Sequence, residues 1–172
     1  MKNRYWLALA GAAALTLPAA AGADWRFTEW GMSVDDVVQV GRGAAVQKIA
    51  DSPDDRVGSL QRLALGKSTE AGIPVRVEFY FDPDGDGLQM VRFAPLKPMS
   101  CFAIEAALVA EHGKGRASSS EHEIDDGRGG SLTFTMAKRE WGGQGKDLIG
   151  FQHAMKGEQS LDVCPWFIEP AS

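Results

Sequence analysis

Few residues in this chain could carry chemistry, and the most suggestive string is Asp82-Pro83-Asp84-Gly85-Asp86-Gly87. Carboxylates at positions one, three and five with glycine at six are how the first half of an EF-hand loop gathers hard oxygen ligands around calcium. The twelfth position holds Phe93 where such a loop carries a bidentate glutamate, and the flanking residues alternate as strands do. Asp-Gly between alternating strands equally makes a hairpin turn whose acids stay solvated. Asp82, Asp84 and Asp86 are therefore read first as a turn and second as ligands of a weak calcium site of the extracellular type.

The other polar concentration surrounds His112 and His122, with Glu111, Glu121, Glu123, Asp125 and Asp126 nearby. Each is an acceptable zinc or manganese ligand by type. Neither His-Glu-x-x-His nor histidines four apart occur, so no helix face fixes two imidazoles together, and the stretch reads as solvated loop. His153 falls in a strand-like run and reads as a surface or half-buried strand residue. Ser118 to Ser120 lack the Gly-x-Ser-x-Gly elbow that would expose a nucleophile. Gly66-Lys67-Ser68 lacks the opening glycine of a phosphate loop, because Gln61 stands there, and Gly41-x-Gly43 meets Val46 where a dinucleotide fingerprint needs glycine. No catalytic residue and no cofactor is expected. The alternative is a calcium- or zinc-binding protein, or a metal-dependent enzyme, built on the Asp82–Asp86 loop or the His112/His122 loop.

The elements that would position these residues begin after an address label. Lys2 and Arg4 precede an apolar run from Trp6 to Leu17, Pro18 breaks it, and Ala21-Gly22-Ala23 offers small residues at a cleavage site. Residues 1–23 are expected to be a secretory signal, which directs the chain to the periplasm or outside and leaves no transmembrane anchor. Of the 18 basic residues, Lys2 and Arg4 depart with it, so 16 remain against 23 acids, a net charge of −7. Basic residues scattered singly among acids make nucleic acid a poor partner. Cys101 and Cys164 are the only cysteines. An even count in an oxidising compartment implies one disulfide, and their spacing is unlike the Cys-x-x-Cys of a redox pair.

Ser33 with Asp36 three residues on, followed by Val37 and Val38, signals a capped helix that Gly41-Arg42-Gly43 ends. Three strands are expected at Leu60–Leu65, Ile73–Phe81 and Leu88–Phe93. The middle one is clearest, with Ile73, Val75, Val77, Phe79 and Phe81 alternating against Pro74, Arg76, Glu78 and Tyr80. Cys101 to Glu111 has apolar residues at helical spacing, and Gly113 to Gly130 reads as a long solvated connection. Three apolar runs follow at Leu132–Met136, Leu148–Met155 and Leu161–Ile168. The expected fold class is α+β: two α-β-β-β units, residues 24–97 and 98–172, forming an antiparallel sheet with the helices on one face.

The string Trp30-Gly31-Met32-Ser33-x-x-Asp36-Val37 resembles the Gly-Met-Thr/Ser-x-x-Gln/Glu-Val helix opening of secreted β-lactamase-inhibitor-protein-like domains. The small lipoprotein of the outer-membrane barrel-assembly machinery has a similar opening. The resemblance implies tandem helix-plus-sheet units that act by binding protein surfaces, although the second half opens Pro98-Met99-Ser100-Cys101 instead. It assigns no site residue. A protein or envelope component is the expected partner. Trp25, Trp30, Trp141 and Trp166 read first as plugs of core and edge positions and second as markers of a binding face, with Trp141, beside Gly142-Gly143 in an expected turn, the best candidate for exposure.

Overall fold

The computed structural model describes residues 25–85, 87–125, 127, 129–142, 147–161 and 164–171. The expected signal, residues 1–23, lies outside them. Helix α1 (Val34–Val40) runs into a turn of 3-10 helix (Gly41–Ala44), then β1 (Gln47–Lys48), β2 (Arg56–Val57), β3 (Leu60–Glu70), β4 (Ile73–Asp82) and β5 (Gly87–Pro95). Helix α2 (Cys101–His112) leads to β6 (Arg116–Asp125), β7 (Ser131–Gly142), β8 (Leu148–Lys156), β9 (Gln159–Ser160) and β10 (Trp166–Glu169). The strands form one sheet in the order β1-β3-β4-β5-β10-β8-β7-β6, with β2 and β9 paired to the sides of β3 and β8.

The α+β expectation of two α-β-β-β units with helices on one face is corrected by this architecture. Among the described residues the protein is predominantly antiparallel β, with ten strands against helices of 7 and 12 residues. One reason is β6. It occupies most of the stretch read as a solvated connection, and because all ten of its residues are exposed it has no apolar alternation to betray it. The other is β10, which does not add at an outer edge. It inserts between β5 and β8, where Trp166 lies opposite both Phe93 and Phe151.

Local chemistry explains the elements that position everything else. The Ser33 side chain accepts from the Asp36 N–H at 3.2 Å while Asp36 reaches back to Ser33, a complete capping box, so seven residues suffice for α1. Ser100 caps α2 in the same manner, accepting from Ala103 N–H at 3.3 Å. On β4, Val75, Val77, Phe79 and Phe81 point to one face and are buried. Val37 of α1 and Ile104 and Leu108 of α2 join that same core cluster, and Trp25 packs its ring 5.7 Å from both Phe79 and Phe93. At the mouth of β5, Gly87 has a φ of +68°, and a Cβ there would overlap the Gly31 backbone. That close approach lets Leu88 and the 31–32 segment exchange backbone hydrogen bonds at 3.0 and 2.9 Å.

Cys101 and Cys164 form a disulfide, with Cα atoms 5.6 Å apart and a sequence separation of 63. It ties the first residue of α2 to the chain just before β10, so the covalent link holds the helix layer to the inserted central strand. A loop of this size contributes about 4 kcal/mol in the chain-entropy account. Among the described residues, no helix is long and apolar enough to cross a membrane.

Candidate functional site

The side chains singled out from the sequence do not converge. Asp82 Oδ1 accepts the Asp84 N–H at 2.9 Å, the bond of an Asx turn, while Asp86 lies outside the described residues. Among the described residues, no group of three or more His, Cys, Asp or Glu side chains is arranged to hold a metal ion. His112 closes α2 with its ring 5.8 Å from that of Trp141, whereas His122 stands in β6 opposite Phe134, stacked on it at 5.4 Å. Those two contacts are seven residues apart along β7, about 23 Å of strand. His153, expected at the surface or half-buried, is 1% exposed and shares a 3.0 Å hydrogen bond with the Ser160 hydroxyl.

Trp141 corrects another expectation. Far from presenting an exposed ring, it is 6% exposed, lies in the main core cluster and donates its indole N–H to the Gly113 carbonyl at 2.8 Å. Gly142, the first residue of the turn expected beside it, ends β7 opposite Leu148, and the rest of that turn lies outside the described residues.

What the structure assembles is on the face of the sheet that, among the described residues, carries no helix. Strand β4 puts Arg76, Glu78 and Tyr80 there, and cross-strand register sets Arg62 opposite Tyr80, Lys67 opposite Arg76, and Arg92 opposite Glu78. Glu78 is 3% exposed. Its carboxylate accepts from Arg62 Nη1 at 2.9 Å, from Arg76 Nη2 at 2.7 Å and from the Tyr80 hydroxyl at 3.2 Å, with Arg92 Nε at 4.0 Å. Arg62 also pairs with Asp55. A buried carboxylate is tolerable only with such partners. Three arginines thus meet two carboxylates, with Lys67 opposite Arg76 in register, so positive charge gathers at this cluster in a chain whose net charge is −5.

Beside the ionic cluster lies a small second core of Tyr80, Met90 and Phe167, with Leu60 packed on it. Phe167 lies opposite Gly150, and a Cβ on Gly150 would overlap the Phe167 ring. Glycine there is what lets the ring lie down across the neighbouring strand. Burial pushes the Tyr80 hydroxyl pKa up, and the Glu78 charge pushes it further, so Tyr80 stays protonated as a donor. Burial likewise raises the Glu169 carboxyl, with Lys138 opposing. Glu140, on the same face, is held below the ordinary carboxylate value by hydrogen bonds from Lys138 and Arg116.

Two clefts meet at Arg92 and Pro165, which line both. The smaller, about 240 Å³, is walled by Phe167, Met90, Val57, Gln152 and Glu169. The larger, about 340 Å³, opens where β5 continues to Pro95 past the start of β10. Ala94 of the helix-free face and Ile104 of the core both reach it, so it is a gap in the sheet that leads toward α2 and Cys164. Alternation had marked Arg76, Glu78 and Tyr80 as the second face of β4, but the insertion of β10 that completes the site leaves no pattern in sequence. No family model matches the chain, and no curated protein and no solved structure matches it either.

Proposed function

We propose that this protein is an exported binding module without catalytic apparatus, which engages a protein or another envelope component through the helix-free face of its sheet. The observation that carries this reading is the Glu78-centred arginine cluster with its adjoining clefts. That face concentrates positive charge and half-open apolar surface in an acidic chain. Beyond holding the buried Glu78, Arg76 and Arg92 reach solvent beside apolar surface, and a charged patch next to exposed apolar surface suits recognition. Export rests on the leader-like residues 1–23 and accords with the Cys101–Cys164 disulfide. The helix opening shared with inhibitor-like and assembly-lipoprotein domains supports a role in binding surfaces.

The test is face-resolved. A photo-crosslinking amino acid at Thr69, exposed in β3 opposite Pro74 on the helix-free face, is compared in exporting cells with one at Gln39, exposed on α1. Discrete adducts at Thr69 and none at Gln39 are expected. Adducts only at Gln39 contradict the assignment of the face.

A further inference from the structure

The two clefts differ in what their side chains offer, and the difference selects a ligand. In the larger cleft the charged side chains are Arg92 and Lys97, with no carboxylate, and the rest of its lining is apolar, including Phe93, Met99 and Ile104. No neutral amide or hydroxyl side chain is present there to read a peptide backbone. Arg92 is 36% exposed and its Nε lies 4.0 Å from Glu78, so its charge is shared rather than neutralised: three guanidinium groups surround that one carboxylate. The smaller cleft continues from Arg92 along apolar walls supplied by Phe167, Met90 and Val57, with Gln152 and Glu169 also lining it. In the larger cleft Arg92 and Lys97 outnumber carboxylates, and two cations beside apolar walls complement an anion that carries an aliphatic chain.

We propose that the seam between β5 and β10 binds a free single-chain carboxylate, its anion held by Arg92 and Lys97 and its chain lying along the Phe167 wall. This deepens the binding role proposed above and rests on it. Clefts of 340 and 240 Å³ suit one chain of roughly ten to fifteen non-hydrogen atoms rather than a two-chain lipid. Gly150 serves this site by letting Phe167 lie flat as its wall. The disulfide, through Cys164, fixes the opposite side.

The experiment titrates the isotope-labelled protein with decanoate, with acetate, and with decyl maltoside, all below micelle formation, and follows backbone amide shifts. Decanoate is expected to give saturable shifts at Arg92, Cys164 and Phe167, with acetate and decyl maltoside at least ten-fold weaker. Lys97→Gln, an exposed change that leaves the Glu78 cluster intact, is expected to weaken decanoate at least ten-fold with its spectrum otherwise preserved. Arg92→Gln should weaken decanoate as much, with amide shifts around Glu78 as well because Arg92 borders that carboxylate. Equal binding of decyl maltoside, or an unchanged affinity in Lys97→Gln, overturns the proposal. So does binding to phosphatidylglycerol vesicles by flotation without monomeric decanoate shifts, which would assign the cations to a membrane surface. Absence of every shift while Thr69 crosslinks persist overturns this ligand and leaves the binding face standing; absence of both removes the two readings together.

Discussion

Strands β4 and β6 are each ten residues long and lie in the same antiparallel sheet, yet β4 is buried from Val77 to Phe81 on both faces while β6 is exposed at every position. Strand β4 sits between β3 and β5, its one face under the helices and its other under the arginine cluster and the Tyr80 core. Strand β6 pairs only with β7. Its Ser, Glu and His residues suit an edge, since charged and polar side chains discourage pairing with other chains. Buried strands hold the fold; the surface they leave on the helix-free side is where we propose that binding occurs.

The sharpest way to break this contrast is a pair of truncations. Phe79→Ala removes a fully buried ring and should cost roughly 3–5 kcal/mol, whereas Ser119→Ala in β6 should stay within about 0.5 kcal/mol. Urea denaturation reads both, and a comparable loss at Ser119 would mean that β6 is integral to the core. Next comes Glu78→Ala, which leaves three arginines without their shared acceptor. A loss of roughly 1.5–3 kcal/mol is expected, less than for a sealed ion pair because Arg76 and Arg92 reach water. No loss would mean that the cluster is surface decoration.

Gly150→Ala should cost roughly 1–2 kcal/mol by forcing the Phe167 ring off the sheet, and the amide spectrum should change along β10 first. The smallest effect belongs to Glu169. Its folded pKa is raised by burial, so the folded state holds the proton more tightly than the unfolded one. Stability from this group therefore falls as pH rises from the ordinary carboxylate value through the raised one, and the cost is complete above it. Glu169→Gln should gain about 0.5 kcal/mol or less at pH 7, because the group is half solvated, and nothing in acid below both values. Denaturation midpoints at the two pH values decide it, and a loss at pH 7 reverses the sign.

The same contrast explains what could be read from residues alone. The alternation of β4 is legible because one face is continuous Val and Phe, and the capping box of α1 is legible because its two side chains, Ser33 and Asp36, are three residues apart. The disulfide follows from having two cysteines and an exported reading. Strand β6 is invisible because Ser118-Ser119-Ser120 and the acids around His122 look like any solvated loop; only pairing with β7 makes them a strand. The burial of Trp141 depends on the distant Gly113 carbonyl, and the burial of Glu78 on arginines from three strands. Such long-range partners carry no local signature. In sequence the cluster shows only as Arg76, Glu78 and Tyr80 on the second face of an alternating strand, with Arg62 and Arg92 brought to it by pairing.

Lysine footprinting tests the central claim most directly, because the lysines divide by face. Lys67 and Lys138 lie on the helix-free side, whereas Lys48 pairs with Asp35 of α1 and Lys114 follows α2. The rate of acylation of each is measured by mass spectrometry in the purified protein and again in periplasmic extract. Several-fold slowing at Lys67 and Lys138, with Lys48 and Lys114 unchanged, is the predicted result; slowing at Lys48 and Lys114 alone would place the partner on the helices and contradict it.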